Sequence, residues 1–559
     1  MQNCIQLEKS NCKNCYKCVR YCPMKSIKVV DGHAEIIPNE CILCGKCYVV
    51  CPQNAKRLRD DTSGVKALFE NGEEVYASIA PSYIANYENI NFSIIKDALL
   101  KLGFKDVQET AVGATVVKRE YEKIIKDRSQ NVIISSCCHS VNTLIQKRYP
   151  EALKYLAKVL SPMQAHGKLI KEQHEGSRVV FIGPCISKKN EVDKYPGYVD
   201  YALTFDELNE WMEERNIEFD YSVADESNGG RARWFPTKGG IIESMDIDED
   251  FSYFSVDGVE DCMNALEDIQ NGNIENCFVE MSACDSSCIG GPIMKHDKVF
   301  RVSSCLTIGK TAGKQDFDVA QPEDGLKKVF DVEFIRQKMP GSAAIEEILH
   351  RMGKKTREQE LNCGSCGYPT CRDKAIAVLN GKADMEMCLP FLKEKAESFS
   401  DTIISNTPNG IIVLNDSLEI QQINKSAQRI MNIKNAQDLT GEPVVRILNP
   451  TDYMMAMTSG NKNNEPKRKY LNEYQKYVDE TIIYDPEYHI IMSIMKDVTN
   501  EEIMREKKTQ QSMNAIEITD KVVEKQMRVV QEIASLLGET TAETKIALTK
   551  LKETMAQDE

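Results

Sequence analysis

The sequence predicts a chain of several modules. A small cysteine-dense domain comes first, a large α/β domain follows, then a second short cysteine group, an α+β domain and terminal helices. Three observations predict it. A chain of 559 residues exceeds what one hydrophobic core organises. Its 21 cysteines are clumped rather than spread. The apolar pattern also changes along the chain: short apolar strands alternate with amphipathic stretches over 73–350, a cysteine-free α+β pattern spans 396–500, and from about 501 the sequence is nearly free of Gly and Pro. The 42% apolar and 28% charged residues fit globular packing, and the formal net charge of -15 argues against nucleic acid or an anionic membrane as main partner. The start, MQNCIQLEKS, has neither the basic nor the apolar region of a signal peptide, and no apolar run approaches membrane-spanning length. A cytoplasmic location is expected. In reducing cytosol the cysteines point to metal sites rather than disulfides, and dense clusters point to an anaerobic cell.

Residues 1–60 form the first module. Residues 12–23 read CKNCYKCVRYCP and residues 41–52 read CILCGKCYVVCP. Both are C-x2-C-x2-C-x3-C-P, the run of bacterial two-cluster ferredoxins, in which the fourth cysteine of each run ligates the other cluster. One cluster would take Cys12, Cys15, Cys18 and Cys51, the other Cys41, Cys44, Cys47 and Cys22. Zinc is the competing occupant of such thiolates, but the doubled order disfavours it. Cys4 lies outside the pattern and reads as a spare thiol.

Residues 61–350 form the second. Three of its apolar strands end at cysteine: NVIISSCC at Cys137 and Cys138, RVVFIGPC at Cys185, and CFVEMSAC at Cys284, with Cys288 one turn further. In a parallel sheet the carboxyl ends of the strands share one edge, where ligands bind. Thiolates gathered there could hold a further cluster. Buried core cysteines are common, but the repeated pattern weighs against that reading.

The local sequences go further. SSCCHS (135–140), GPCISKKNE (183–191) and EMSACDSSCIGG (280–291) resemble, in order, the three signature motifs of the [FeFe]-hydrogenase catalytic domain, T-S-C-C-P, M-P-C-x-x-K-x-x-E and E-x-M-A-C-P-G-G-C-x-x-G-G. APS at 80–82, SPMQAHG at 161–167 and KGG at 238–240 add to the match, which spans roughly 75–350. The resemblance implies that Cys138, Cys185, Cys284 and Cys288 hold the cubane of an H-cluster. It implies that Cys288 bridges to a two-iron site carrying CO, cyanide and a bridging dithiolate, with Ser286, Ser287, Gly290 and Gly291 leaving room for it. Lys188 would donate to one cyanide, Pro81 and Ser82 would lie against the other, and Cys137 would pass protons. Read alone, Lys188 in its KK pair is an ordinary surface lysine; only the motif raises it.

The sequence also departs from that family. Gly183 and Ser282 replace methionines, Met163 replaces a glutamine, and His139 replaces the proline after the cysteine pair. Where the family has a helix with two carboxylates for the proton path, this chain reads VGATVVKREY: Glu120 remains but Tyr121 takes the second place. Tyrosine, with a reference pKa near ~10, is a poor proton carrier at neutral pH. The expectation is slow turnover.

Residues 351–395 contain CGSCGYPTC and then Cys388, a C-x2-C-x4-C-x16-C spacing that resembles a small [4Fe–4S] domain. Its ligands would be Cys363, Cys366, Cys371 and Cys388, with zinc the alternative. Residues 396–500 resemble a PAS domain: strands GIIVLN and LEIQQIN, helix KSAQRIM, then strands YVDETIIYD and YHIIMSIMKDVT joined near Pro486. His489, beside that turn, reads as structural. In 501–559, Val523, Met527, Val530, Ala534 and Leu537 mark a coiled-coil seam, Gly538 is the expected breaker, and Ile546, Leu548, Leu551 and Met555 suggest a second helix.

Together these features resemble the sensory, PAS-linked branch of [FeFe]-hydrogenases. The reaction so implied is 2H⁺ + 2e⁻ ⇌ H₂, with ferredoxin or a similar carrier exchanging electrons with three accessory [4Fe–4S] clusters. A homodimer is expected, with no phospho-acceptor histidine in the tail, so a separate signalling protein such as a kinase or phosphatase would receive the output. The rivals are a plain ferredoxin-dependent hydrogenase and a hydrogenase-like iron–sulfur assembly protein without a two-iron site. Cys262, Cys277 and Cys305 have no assigned role.

Overall fold

A computed structural model describes residues 4–225, 229–294, 301–322, 325–336, 339–459 and 465–555. Two compact units divide the chain, Met1–Leu392 and Lys393–Glu559.

In the first unit the doubled cysteine runs are framed by two small two-stranded sheets. Strands Ile5–Leu7 and Lys56–Leu58 pair antiparallel, as do Ile27–Val30 and His33–Ile36. Each run turns into a one-turn helix, Lys17–Tyr21 or Lys46–Val49, entered through a left-handed residue, Tyr16 or Gly45. At Gly45 a side chain could not be accommodated: a Cβ would come within 2.5 Å of Pro292.

The central domain is α/β, but its strands form two parallel sheets rather than the single edge expected from the repeated motif. One has the order Asp106–Glu109, Val75–Ile79, Arg178–Gly183, Tyr201–Thr204. The other has the order Ser252–Asp257, Cys277–Ser282, Val132–Ile134. Val75–Ile79 and Cys277–Ser282 are buried at every position, as strands covered on both faces must be. Pairing between distant strands is not written in local sequence, and so the split was not legible there.

The cysteine module at 359–390 packs back on the amino-terminal domain. Lys25 Nζ donates to Gly367 O at 2.9 Å, Arg20 Nη2 donates to Ser365 O at 2.9 Å, and Val29 N donates to Lys382 O at 2.9 Å. In sequence this module follows the α/β domain; in space it abuts the first one. The helix Leu389–Asn406 starts directly after Cys388.

The second unit is a five-stranded antiparallel sheet, ordered Ile420–Ile423, Gly410–Asn415, Ile490–Asp497, Lys476–Asp485, Lys467–Leu471. The four strands anticipated from sequence are present, and Asp485 pairs with Ile490 across the turn at Pro486. Lys467–Leu471 was not anticipated, because KRKYL is a mostly exposed edge strand with no apolar alternation. His489 makes a surface contact, its Nδ1 lying 2.6 Å from Asp416 Oδ2. The last helix runs unbroken over Thr499–Met555, so Gly538 does not end it. One glycine costs a helix about 1 kcal/mol, too little to break one this long. Val523, Met527, Val530, Leu537, Ile546 and Leu548 are all exposed along it; the side chains of Leu551 and Met555 lie outside the described residues. Among the described residues no helix is long and apolar enough to cross a membrane.

Candidate metal centres

The carboxyl ends of both parallel sheets open on one cavity of about 120 Å³. Strand Val75–Ile79 delivers Pro81 and Ser82, Val132–Ile134 delivers Cys137 and Cys138, Arg178–Gly183 delivers Cys185, and Cys277–Ser282 delivers Cys284 and then Cys288. All of these line the cavity, as does Lys188. Every residue expected at this centre from sequence is therefore in one place. Cys44 also lines it, so the second amino-terminal cysteine set abuts the cavity directly.

The donor chemistry fits a thiolate-bound metal group. Burial and neighbouring thiols push Cys185 up to about 11 and hold Cys284 and Cys288 well above the ordinary thiol range. Metal binding at such thiols must displace protons. The Ser82 hydroxyl is buried on the cavity wall without a hydrogen-bond partner. Such a group calls for a polar occupant. The residues present fit a thiolate-bound iron–sulfur group: Cys138, Cys185, Cys284 and Cys288 line one cavity, with Ser82 and Lys188 beside them. Among the described residues no three of the metal-binding side chains close on one point as ligands of a single ion would. The room expected from small residues is only partly used this way. Ser287 and Gly291 line the cavity, whereas Gly290 is small for its own backbone, since a Cβ would fall 1.8 Å from Asp285 O.

Lys188 Nζ lies 2.5 Å from Glu191 Oε2 and 3.2 Å from Cys137 O. Burial opposes its charge, but Glu191 together with the neighbouring Cys185 and Cys137 raises its pKa and keeps the ammonium protonated. Lys328, far away in sequence, places its Nζ 2.6 Å from the other Glu191 oxygen. Two cations thus share one fully buried carboxylate, and of these three groups only Lys188 lines the cavity.

The replaced positions are packed rather than vacant. A side chain at Gly183 would meet the Phe181 ring at 2.7 Å, and Phe181 and Met163 both line the cavity. His139 lines it too. Its Nε2 lies 3.0 Å from Asn190 Oδ1, and burial pushes its pKa down to about 4. Glu120 accepts from Gln321 Nε2 at 2.9 Å and does not line the cavity. Tyr121 is fully buried with its hydroxyl 3.2 Å from Cys137 Sγ and 2.9 Å from Ser136 N, which donates to it. Desolvation holds Tyr121 well above 10 and Cys137 at about 12, so this pair is hydrogen-bonded but both members keep their protons.

Sequence reasoning missed Glu280. It lines the cavity, its carboxylate accepts from Gly239 N at 3.0 Å, Ile241 N at 2.9 Å and Ile242 N at 3.1 Å, and burial nevertheless pushes its pKa up to about 7. The signal was present: an acid in the middle of an otherwise uncharged strand, CFVEMS, four residues before a metal-site cysteine.

The accessory sites are also assembled. Cys22, Cys41, Cys44 and Cys47 line one small cavity, with Cys22 crossing over from the first run. Cys18 lies within the electrostatic reach of Cys15 and Cys51. Cys363, Cys366, Cys371 and Cys388 line another cavity together with buried Lys374.

Comparison with known proteins agrees with this division. Residues 73–292 match the family described as iron only hydrogenase large subunit, C-terminal domain. Residues 4–52 match a 4Fe-4S dicluster domain, and residues 359–390 match a small Fe-S cluster family. The chain is 25% identical over 370 residues to the periplasmic [Fe] hydrogenase large subunit of Nitratidesulfovibrio vulgaris, an alignment covering 52% of this chain and 86% of that protein. It is 24% identical over 287 residues to the cytosolic Fe-S cluster assembly factor NAR1 of Encephalitozoon cuniculi, covering 45% of this chain and 78% of that one. A variant of the [FeFe]-hydrogenase HydA1 of Chlamydomonas reinhardtii superposes with a TM-score of 0.39 at 15% identity, covering 49% of this chain and 99% of that one. The family matches and the gathered cysteines define an iron–sulfur protein. More particularly, it is hydrogenase-like, with a dicluster domain ahead of an iron-only-hydrogenase-type domain.

Proposed function

We propose that the chain interconverts H₂ with protons and electrons slowly, at an H-cluster, and that its second unit turns the redox state into a signal. One observation carries the first half: Cys137, Lys188 and Ser82 share a cavity with the four cubane cysteines, so the donors a two-iron site needs stand beside the donors a cubane needs. When bound, the two-iron group supplies the chemistry that splits or forms H₂. The chain's own residues do the rest. Lys188 and Ser82 orient bound anions, Cys137 holds a proton at the wall, Glu280 exchanges protons near neutral pH, and the apolar wall of Phe181, Met163 and Phe235 limits water. Cys44 brings the neighbouring cluster up to the cavity for electrons.

The sensing half rests on module order and on the second unit, which has the strand order and trailing helix of a PAS-type module. Nothing among its described residues resembles a catalytic set, so a separate protein receives the output, and the exposed seam of the last helix meets a second copy. A cytoplasmic location fits the same reading.

A second reading, an iron–sulfur assembly factor, is favoured by the similarity to NAR1 and by Tyr121 in place of a carboxylate. Infrared spectroscopy separates the two. Protein supplied with a synthetic two-iron cofactor should show bands of iron-bound CO and cyanide and should evolve H₂ slowly from a strong reductant. Absence of both bands and activity, with the cubanes present, would favour the assembly factor.

A further inference from the structure

A file of hydrogen bonds leads away from the cavity wall at Thr110. Thr110, which lines the cavity, has its Oγ1 2.7 Å from Ser78 Oγ. Ser78 Oγ is 2.7 Å from His166 Nδ1. His166 Nε2 is 3.2 Å from Gln108 Oε1, and Gln108 Nε2 donates over a longer 3.5 Å to Asp106 Oδ2. Asp106 is half-buried at the sheet edge, and its other oxygen takes an ion pair from Lys96 at 2.6 Å. Ser78, Thr110 and His166 are almost fully buried. The file is a product of parallel register: Ser78 and Gln108 are paired residues on adjacent strands, and His166 reaches between them from the helix Pro162–Gln173.

With a neutral His166 ring, only one assignment of protons satisfies every link. Asp106 accepts only, so Gln108 must turn its amide nitrogen to it and its carbonyl oxygen to His166. The ring must then carry its proton on Nε2. Burial pushes His166 down to about 3, so the ring is neutral and Nδ1 is bare. Nδ1 takes the Ser78 proton, and the Ser78 oxygen takes the Thr110 proton. Thr110 therefore has no proton left for the cavity.

We propose that His166 is a positioning residue of the metal pocket: with Asp106 and Gln108 it fixes the sense of this file so that Thr110 offers the cavity an acceptor and never a donor. The wall is then two-sided. Lys188 and the unpartnered Ser82 hydroxyl can donate, whereas Thr110 can only accept, so the pocket takes a group with an anionic end and a proton-bearing end. This rests on the functional reading above only for the identity of that group.

Two measurements test it separately. In the full-length protein labelled with 15N-histidine and loaded with its cubanes, the signals lost in His166→Phe identify this ring. They should report a bare Nδ1 and a protonated Nε2, unchanged from pH 6 to 8. Asp106→Asn, at a half-buried site remote from the cavity, removes the acceptor-only end and should let the Nδ1-protonated form appear. A protonated Nδ1 in the unaltered protein would overturn the proposal. In protein loaded with the two-iron cofactor, Ser78→Ala and His166→Phe should both shift the CO and cyanide bands in the same direction, with cluster content unchanged. Bands that do not move in Ser78→Ala, where the fold is least disturbed, would overturn the role in the pocket. No bands even in the unaltered protein would instead reject the two-iron reading, and the nitrogen shifts would still decide the polarity.

Discussion

Cys137 and Glu280 both face the cavity among its cysteines, and burial raises both but leaves them titrating in different ranges. The Cys137 thiol is held at about 12, so it stays protonated wherever the protein is stable. It can hand on a proton only by receiving one back. Cys137→Ala should therefore lower H₂ evolution at least about tenfold, an ordinary loss for a positioned acid or base, and leave the CO and cyanide bands in place. Loss of the bands would make Cys137 structural. Glu280 titrates at about 7, above its ordinary value near 4.5. The folded state then binds the extra proton between those two values, so its contribution to stability is fully present below pH 4.5 and is lost as pH rises through 7. Glu280→Gln should flatten that part of the stability–pH curve of the cubane-loaded protein. It should also remove an inflection near neutral pH from the rate profile. An unchanged profile would place the working acid elsewhere.

At the scale of the element, strands ending in cysteine were legible because periodicity and motif are both local. Four of the five strands of the second unit were legible for the same reason. Other features had no local signal. Lys328 reaches Glu191 from 137 residues away, and nothing around it in sequence marks a buried cation. Glu280 was visible as an acid in an apolar strand, but the cradle of three backbone N–H groups that holds it comes from another segment, Gly239–Ile242. Tyr121 was read correctly as a non-titrating replacement; its contact with Cys137 required the packing of the helix Thr110–Lys126 on the strand Val132–Ile134. Gly538 misled because a breaker was weighed without the length of the helix around it. Gly538→Ala should raise the thermal stability of that helix by up to about 1 kcal/mol, measured by circular dichroism on the full chain. Val530→Glu, in the exposed seam, should convert a dimer to a monomer in sedimentation, and an unchanged mass would remove the seam as the contact.

At the scale of the molecule, the third cysteine module follows the α/β domain in sequence but packs on the first domain in space. Through Lys25 it rests against the first domain, within reach of the field of Cys22, while the helix Leu389–Asn406 begins immediately after its last ligand. A redox change there can bias the second unit only by its differential free energy in two states. Hydrogen–deuterium exchange over 396–559 should differ between H₂-reduced and oxidised protein, and Cys388→Ser should abolish the difference while H₂ oxidation with an artificial acceptor persists. Equal exchange in both states would favour a plain enzyme.

The crossing of Cys22 into the cavity of Cys41, Cys44 and Cys47 has a consequence for how the protein fills with metal. Each of the two clusters proposed for the first domain would draw one ligand from the other cysteine run, so filling one site would fix the loop that carries a ligand of the other. Loading should be all-or-none, with half-filled molecules scarce at any iron supply. Cys51→Ser, which removes one ligand of one group, should then cost about eight irons of the roughly sixteen expected for four cubanes rather than four. Native mass spectrometry of partly reconstituted protein would show whether the intermediate species is missing.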